Sequence, residues 1–107
     1  MIEVRQTESF GEWLSALRDS RARARIAERL HRFALGNPGD ARSVGGGVME
    51  LRINYGPGYR VYYTRRGNVV VIVLCGGDKG SQKRDIRRAQ ALAAELKDEN
   101  NGQDDGV

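Results

Sequence analysis

Two neighbouring stretches of this chain carry side chains of the types that phosphate chemistry uses. Glu50 and Arg52 alternate with the apolar Met49, Leu51 and Ile53, and Arg60 and Tyr62 alternate with Tyr59, Val61 and Tyr63. A period of two sends successive side chains of a strand to opposite faces. Glu50, Arg52, Arg60 and Tyr62 are therefore expected on one face of a hairpin turned at Gly56-Pro57-Gly58, while the other face packs. Further on, Gly76-Gly77-Asp78-Lys79-Gly80-Ser81 leads from an apolar strand into a basic helix entrance that holds Lys83 and Arg84. Free backbone N–H groups at such an entrance attract anions, although the glycine spacing is not that of a nucleoside-triphosphate loop. A cationic sheet face beside a helix N-terminus is a place to hold phosphates, and that points toward RNA. Tyr62 is the candidate for stacking on a base, with Lys83, Arg84 and Arg65 as further RNA contacts.

Charge supports a polyanionic partner. Lys and Arg number 18 against 14 acids, and residues 1–94 carry 17 basic against 9 acidic side chains, because five of the acids lie from Glu95 onward. Fifteen of the basic residues are Arg, whose planar fork suits bidentate phosphate contacts. A body with a surplus of eight positive charges calls for a nucleic acid, an acidic protein, or both in turn. One Cys and one His argue against a structural zinc site, and Cys75 alone forms no internal disulfide, which suits a reducing compartment. The longest apolar run, Val69 to Cys75, is too short to span a bilayer. No signal peptide is evident at the N-terminus, so the expected location is cytoplasmic, with no cofactor and no membrane partner.

The elements that must position these residues form one α+β domain over residues 1–96, followed by an acidic tail over 97–107 expected to be disordered. Ile2 to Arg5 is a short strand candidate. Ser9 and Glu12 form a capping-box pattern ahead of a helix with Phe10, Trp13, Leu14 and Leu17 on its apolar side. Asp19 or Ser20 caps a second helix to about Leu35, with Ala22, Ile26, Leu30, Phe33 and Ala34 packing, and Gly36-Asn37-Pro38-Gly39 stops it. Residues 36–47 read as loop. The two strands of the hairpin follow, then Val69 to Leu74, apolar throughout and hence a central strand covered on both faces. Ser81 is expected to cap a last, short helix to Leu96. Arg18, Arg21, Arg25, Arg29 and Arg32 share much of one side of the helical hairpin, either as a solvated face partly neutralised by Glu28 or as a contact for RNA or an acidic protein. His31 has no assigned role, Cys75 is expected buried and inert, and Trp13 is expected to anchor the helices to the sheet.

The strings FGEWLSALRD (10–19), GNPGD (36–40), ELRINYGPGYRVYY (50–63), GGDKGSQKRDI (76–86) and RAQALA (88–93), in this order, resemble the RelE/ParE toxin superfamily. In particular they resemble its phage-related addiction-module killer branch, the HigB-like proteins. The resemblance covers about residues 2–94. It implies a RelE-like fold, with an N-terminal strand, a helical hairpin, a three-stranded antiparallel meander completing a small twisted sheet, and a short C-terminal helix. It also implies a toxin of a type II toxin–antitoxin system, neutralised by a cognate helix-turn-helix antitoxin and touching operator DNA only through that complex. RelE-type members cut mRNA on the ribosome, ParE-type members poison DNA gyrase without catalysis, and fold alone does not choose between them. A weakly toxic chain retained for antitoxin binding and autorepression is a third possibility.

Cleaving RNA without a metal needs a group to take the 2'-hydroxyl proton, positive charge on the phosphate, and an acid for the leaving oxygen. By the resemblance, Arg60 matches the family's strand arginine, Arg52 the second basic position of the preceding strand, and Lys79 lies near the basic residue that leads into the last helix. The chain departs from RelE nucleases in carrying Glu50 at the first basic position and Ile86 or Asp85 where a stacking tyrosine is found. Since arginine stays protonated, Glu50 or Lys79 is left to move the proton while Arg52 and Arg60 hold the phosphate. Alternatively Glu50, Arg52 and Arg60 are an exposed ion-pair set worth under about 1 kcal/mol.

Overall fold

The computed structural model describes residues 2–68 and 70–105, with side chains for 2–68 and 70–97. In chain order the elements are β1 (Glu3–Gln6), α1 (Glu8–Ala16), α2 (Ser20–Ala34), β2 (Ala41–Gly45), β3 (Val48–Ile53), β4 (Tyr59–Arg66), β5 (Val70–Asp78), a 3₁₀ turn (Lys79–Ser81) and α3 (Gln82–Asp105). The five strands form one sheet in the order β1-β5-β4-β3-β2, with β1 parallel to β5 and all other pairs antiparallel. The expected α+β architecture is present: an N-terminal strand, two helices, a strand meander forming a sheet, and a C-terminal helix. The meander has four strands, because Ala41–Gly45, expected as loop, pairs with β3.

Period-two alternation sorts the strands into two cores. Leu51, Ile53, Val61 and Tyr63 face α1 and α2, packing with Phe10, Ile26 and Phe33. Val48, Tyr62, Ile72 and Leu74 face α3 and pack with Ala89, with Ile86 and Leu92 beside them. The apolar run of β5 is the central strand it was expected to be, between β1 and β4, with Val71 to Cys75 buried. Val69, at its start, lies outside the described residues. Trp13 anchors α1 to β5: a Cβ on Gly76 would run into its indole, and the ring sits 6.1 Å from that of Tyr59.

The helix ends differ in part from expectation. Thr7, not Ser9, caps α1, accepting from the Phe10 N–H at 3.1 Å while its own N–H donates to the Val73 carbonyl. Pairing with β5 fixes Thr7 as the last extended residue, so the capping oxygen falls two positions earlier than the local pattern suggests. Asp19 caps α2, accepting from the N–H groups of Arg21 and Ala22. Asp78, rather than Ser81, caps the entrance to the last helix: Asp78 and Ser81 form a reciprocal capping box across the 3₁₀ turn. Helix α3 runs beyond the expected end at Leu96, to Asp105. The segment 97–107, expected as a disordered tail, is thus helical as far as Asp105, and the side chains of 98–107 lie outside the described residues.

Candidate functional site

The β3–β4 register sets Glu50 opposite Tyr62 and Arg52 opposite Arg60, and the β2–β3 register sets Arg42 opposite Glu50. Directly opposed residues of an antiparallel pair point to the same face, so all five side chains emerge on the α3 side of the sheet. There Glu50 is fully buried. Its Oε1 accepts from Arg42 Nε at 3.1 Å and from Arg52 Nε at 3.2 Å, with Arg60 Nε at 4.0 Å. Its Oε2 accepts from the Gln82 side-chain amide at 2.8 Å, which ties the first residue of α3 to the sheet. Burial alone would raise the Glu50 pKa, but the hydrogen bonds from Gln82, Arg42 and Arg52 outweigh it and hold the carboxyl below its ordinary value. Glu50 is therefore an ionised hub from which three guanidinium groups radiate. The Arg60 side chain is only 11% exposed, while those of Arg52 and Arg42 are 36% and 52% exposed.

The fan opens onto a cleft of about 530 Å³ where Arg52, Arg60 and Lys79 converge beneath the Asn54–Gly58 turn. Gly58 has φ of 83°, and a Cβ there would touch the Lys79 side chain at 3.5 Å and the Arg60 guanidinium at 3.9 Å. The turn thus lies over the Arg60 guanidinium and the base of the Lys79 side chain. Lys79 also borders a second depression of about 600 Å³, with Lys83, Arg84 and Arg87 on the first turns of α3. The loop between is held by its own hydrogen bonds: Asp78 accepts from the Gly80 N–H at 2.8 Å, and the Ser81 hydroxyl donates to the Asp85 carboxylate.

Arg52, Arg60 and Lys79 are thus brought together, and Lys83 and Arg84 stand beside them. Three expectations need correction. Tyr62 is completely buried between β4 and α3, so its ring is not open to a nucleotide base. The same burial, chiefly through desolvation and then the Glu50 charge, pushes its hydroxyl pKa up. Glu50 offers no face to a 2'-hydroxyl, since it is buried and both its oxygens are engaged. It is also not part of an exposed ion pair. Arg65 lies on the opposite face, its guanidinium 5.9 Å from the Phe33 ring centroid, away from the cleft. Sequence reasoning missed Arg42, hidden in the strand read as loop, and Gln82, a neutral amide with no distinguishing pattern.

The cluster can bind an oxyanion with several charge-assisted donors. Among the described residues, no group of three or more His, Cys, Asp or Glu side chains could hold a metal ion, and no helix is long and apolar enough to cross a membrane. Residues 12–97 match the family described as "Phage derived protein Gp49-like (DUF891)". The chain belongs to the Gp49-like family. That family is RelE- and toxin-like and occurs in toxin–antitoxin systems. A Gp49-like chain of this kind is also similar to an uncharacterized protein of Haemophilus influenzae, 50% identical over 95 residues that span 89% of this chain and 96% of the relative. The match begins at Glu12 and ends at Lys97, so it takes in the whole arginine fan and the α3 entrance of this Gp49-like protein.

Proposed function

We propose that this Gp49-like protein is the toxin of a type II toxin–antitoxin module, of the HigB-like kind, and that it cleaves mRNA on the translating ribosome. A cognate helix-turn-helix antitoxin neutralises it, and operator DNA is touched only through that complex. One observation carries the reading: Arg52 and Arg60, fanned from a buried carboxylate, open together with Lys79 onto a single cleft.

In that cleft Arg52 and Arg60 hold the non-bridging oxygens of the scissile phosphate and neutralise the charge that grows as the 2'-oxygen attacks phosphorus. The new P–O2' bond forms as the P–O5' bond breaks. The 2'-hydroxyl loses its proton and the departing 5'-oxygen gains one, leaving a 2',3'-cyclic phosphate and a 5'-hydroxyl. With Glu50 buried and engaged, Lys79 is the cleft residue assigned to proton movement. Glu50 acts through the arginines, holding their guanidinium groups in one orientation before the substrate arrives.

The test is brief expression in a bacterial host with pulse-labelling of protein and DNA synthesis, together with mapping of mRNA ends. Protein synthesis is expected to stop first, with new mRNA ends inside translated regions. Arrest of DNA synthesis first would replace the nuclease reading with gyrase inhibition. Unimpaired growth would replace it with a role in antitoxin binding and autorepression.

A further inference from the structure

Three of the depressions on the molecule adjoin one another. Lys79 borders both the arginine cleft and the depression at the α3 entrance. Ile53 and Asn54, at the end of β3, border the arginine cleft and also a third depression of about 200 Å³ on α2, walled by Arg25, Arg29 and Arg32. Since α2 and α3 cover opposite faces of the sheet, the three together make one groove that starts at the α3 entrance, passes beneath the β3–β4 turn and ends on α2. Nine basic side chains border it against three acids, a surplus of six where the whole chain has only four. The α2 end is built. Arg29 donates to the carbonyls of Arg52 and Pro38. Desolvation lowers its pKa, as befits a half-buried structural cation. Arg25 lies 4.6 Å over the Tyr55 ring.

We propose that this groove binds a single-stranded RNA backbone that wraps around the β3–β4 end of the sheet, with Arg25 and Arg32 holding phosphates beyond the one at Arg52 and Arg60. The proposal deepens the nuclease reading and rests on it for the identity of the strand. A regular duplex is a stiff rod and does not pass from one face of a small sheet to the other, whereas a single strand follows such a path. Backbone contacts of this type carry no base information, so the groove supplies affinity and leaves sequence preference to other elements.

The experiment measures binding of 2'-O-methyl oligouridylates of increasing length, which lack an attacking 2'-hydroxyl, by fluorescence anisotropy across a salt series. Three proteins are compared: the wild type, an Arg25→Ala/Arg32→Ala variant, and an Arg5→Ala/Arg88→Ala variant that loses the same charge away from the groove. Affinity is expected to rise with oligonucleotide length. The groove variant is expected to lose about 1.4 from the slope of log K against log salt, at about 0.7 per phosphate, while the control variant keeps the wild-type slope. An unchanged slope in the groove variant, an equal drop in both variants, or equally tight binding of a duplex with the same Arg25/Arg32 dependence overturns the proposal. So does a variant that loses only antitoxin binding, which would assign the α2 arginines to a protein partner. Because the probe is not cleaved, RNA that is held along the groove but never cut by the wild type defeats the nuclease reading and leaves the groove standing.

Discussion

Replacing Glu50 by Gln keeps the shape of the hub and removes its charge, leaving three guanidinium groups gathered around a neutral amide. Breaking a buried ion pair by removing one partner costs about 3–5 kcal/mol. Here Arg42 and Arg52 are partly exposed and water screens them, while Arg60 is nearly buried. The expected loss is therefore about 2–3 kcal/mol. For a domain of this size that lowers the melting temperature by about 10 °C or more, and the urea midpoint falls at constant m. Replacing Arg60 by Met in the Glu50→Gln background should return part of the loss, with a coupling of at least about 1 kcal/mol. Acidity gives an independent readout. The Glu50 carboxyl lies below its ordinary value of 4.5, so its stabilising effect is complete above that pH and disappears as pH falls through the lowered value. The wild type should therefore lose stability below about pH 4.5 more steeply than Glu50→Gln does. Asp19 is shifted the same way in both proteins and drops out of the comparison. A Glu50→Gln stability within about 0.5 kcal/mol of wild type, with parallel pH curves, would refute the view of Glu50 as the charged hub.

Gly77 pairs with Arg60 across β4–β5, and a methyl group there would run into the Asp85 carboxylate and the Ser81 hydroxyl. Gly77→Ala is expected to cost about 1–3 kcal/mol in urea unfolding, and an unchanged midpoint would mean that the α3 entrance yields easily. Cys75 is buried, and burial pushes its thiol pKa up to about 11. Native protein should resist iodoacetamide at about pH 8 and react only on unfolding, and labelling as fast as that of a small free thiol would contradict this packing.

Much of this site could be seen in advance because strand alternation is a simple code. The letters Glu-Leu-Arg-Ile and Tyr-Arg-Val-Tyr-Tyr place Glu50, Arg52, Arg60 and Tyr62 on one face, as the register has them. Alternation gives the face of a residue but not its depth. The depth was set by α3, whose stripe of Ile86, Ala89 and Leu92 needs a surface, and the face opposite α1 and α2 was the one left for it. That reasoning was available and would have placed Tyr62 in the core. Arg42 escaped notice for a different reason. Edge strand β2 has no fully buried residue and ends in glycine, so its apolar signal is faint. Gln82 reaches Glu50 across 32 residues, a contact with no local signature.

The most direct measurement is the single-turnover rate of mRNA cleavage on translating ribosomes by wild-type protein and by folded Arg60→Ala, with Arg60→Lys alongside. Cleavage by the wild type, a loss of about 10²–10³-fold in Arg60→Ala, and only partial recovery with lysine, which lacks the planar fork, are the results expected of an arginine that clamps the transferring phosphate. Equal rates for wild type and Arg60→Ala would contradict it.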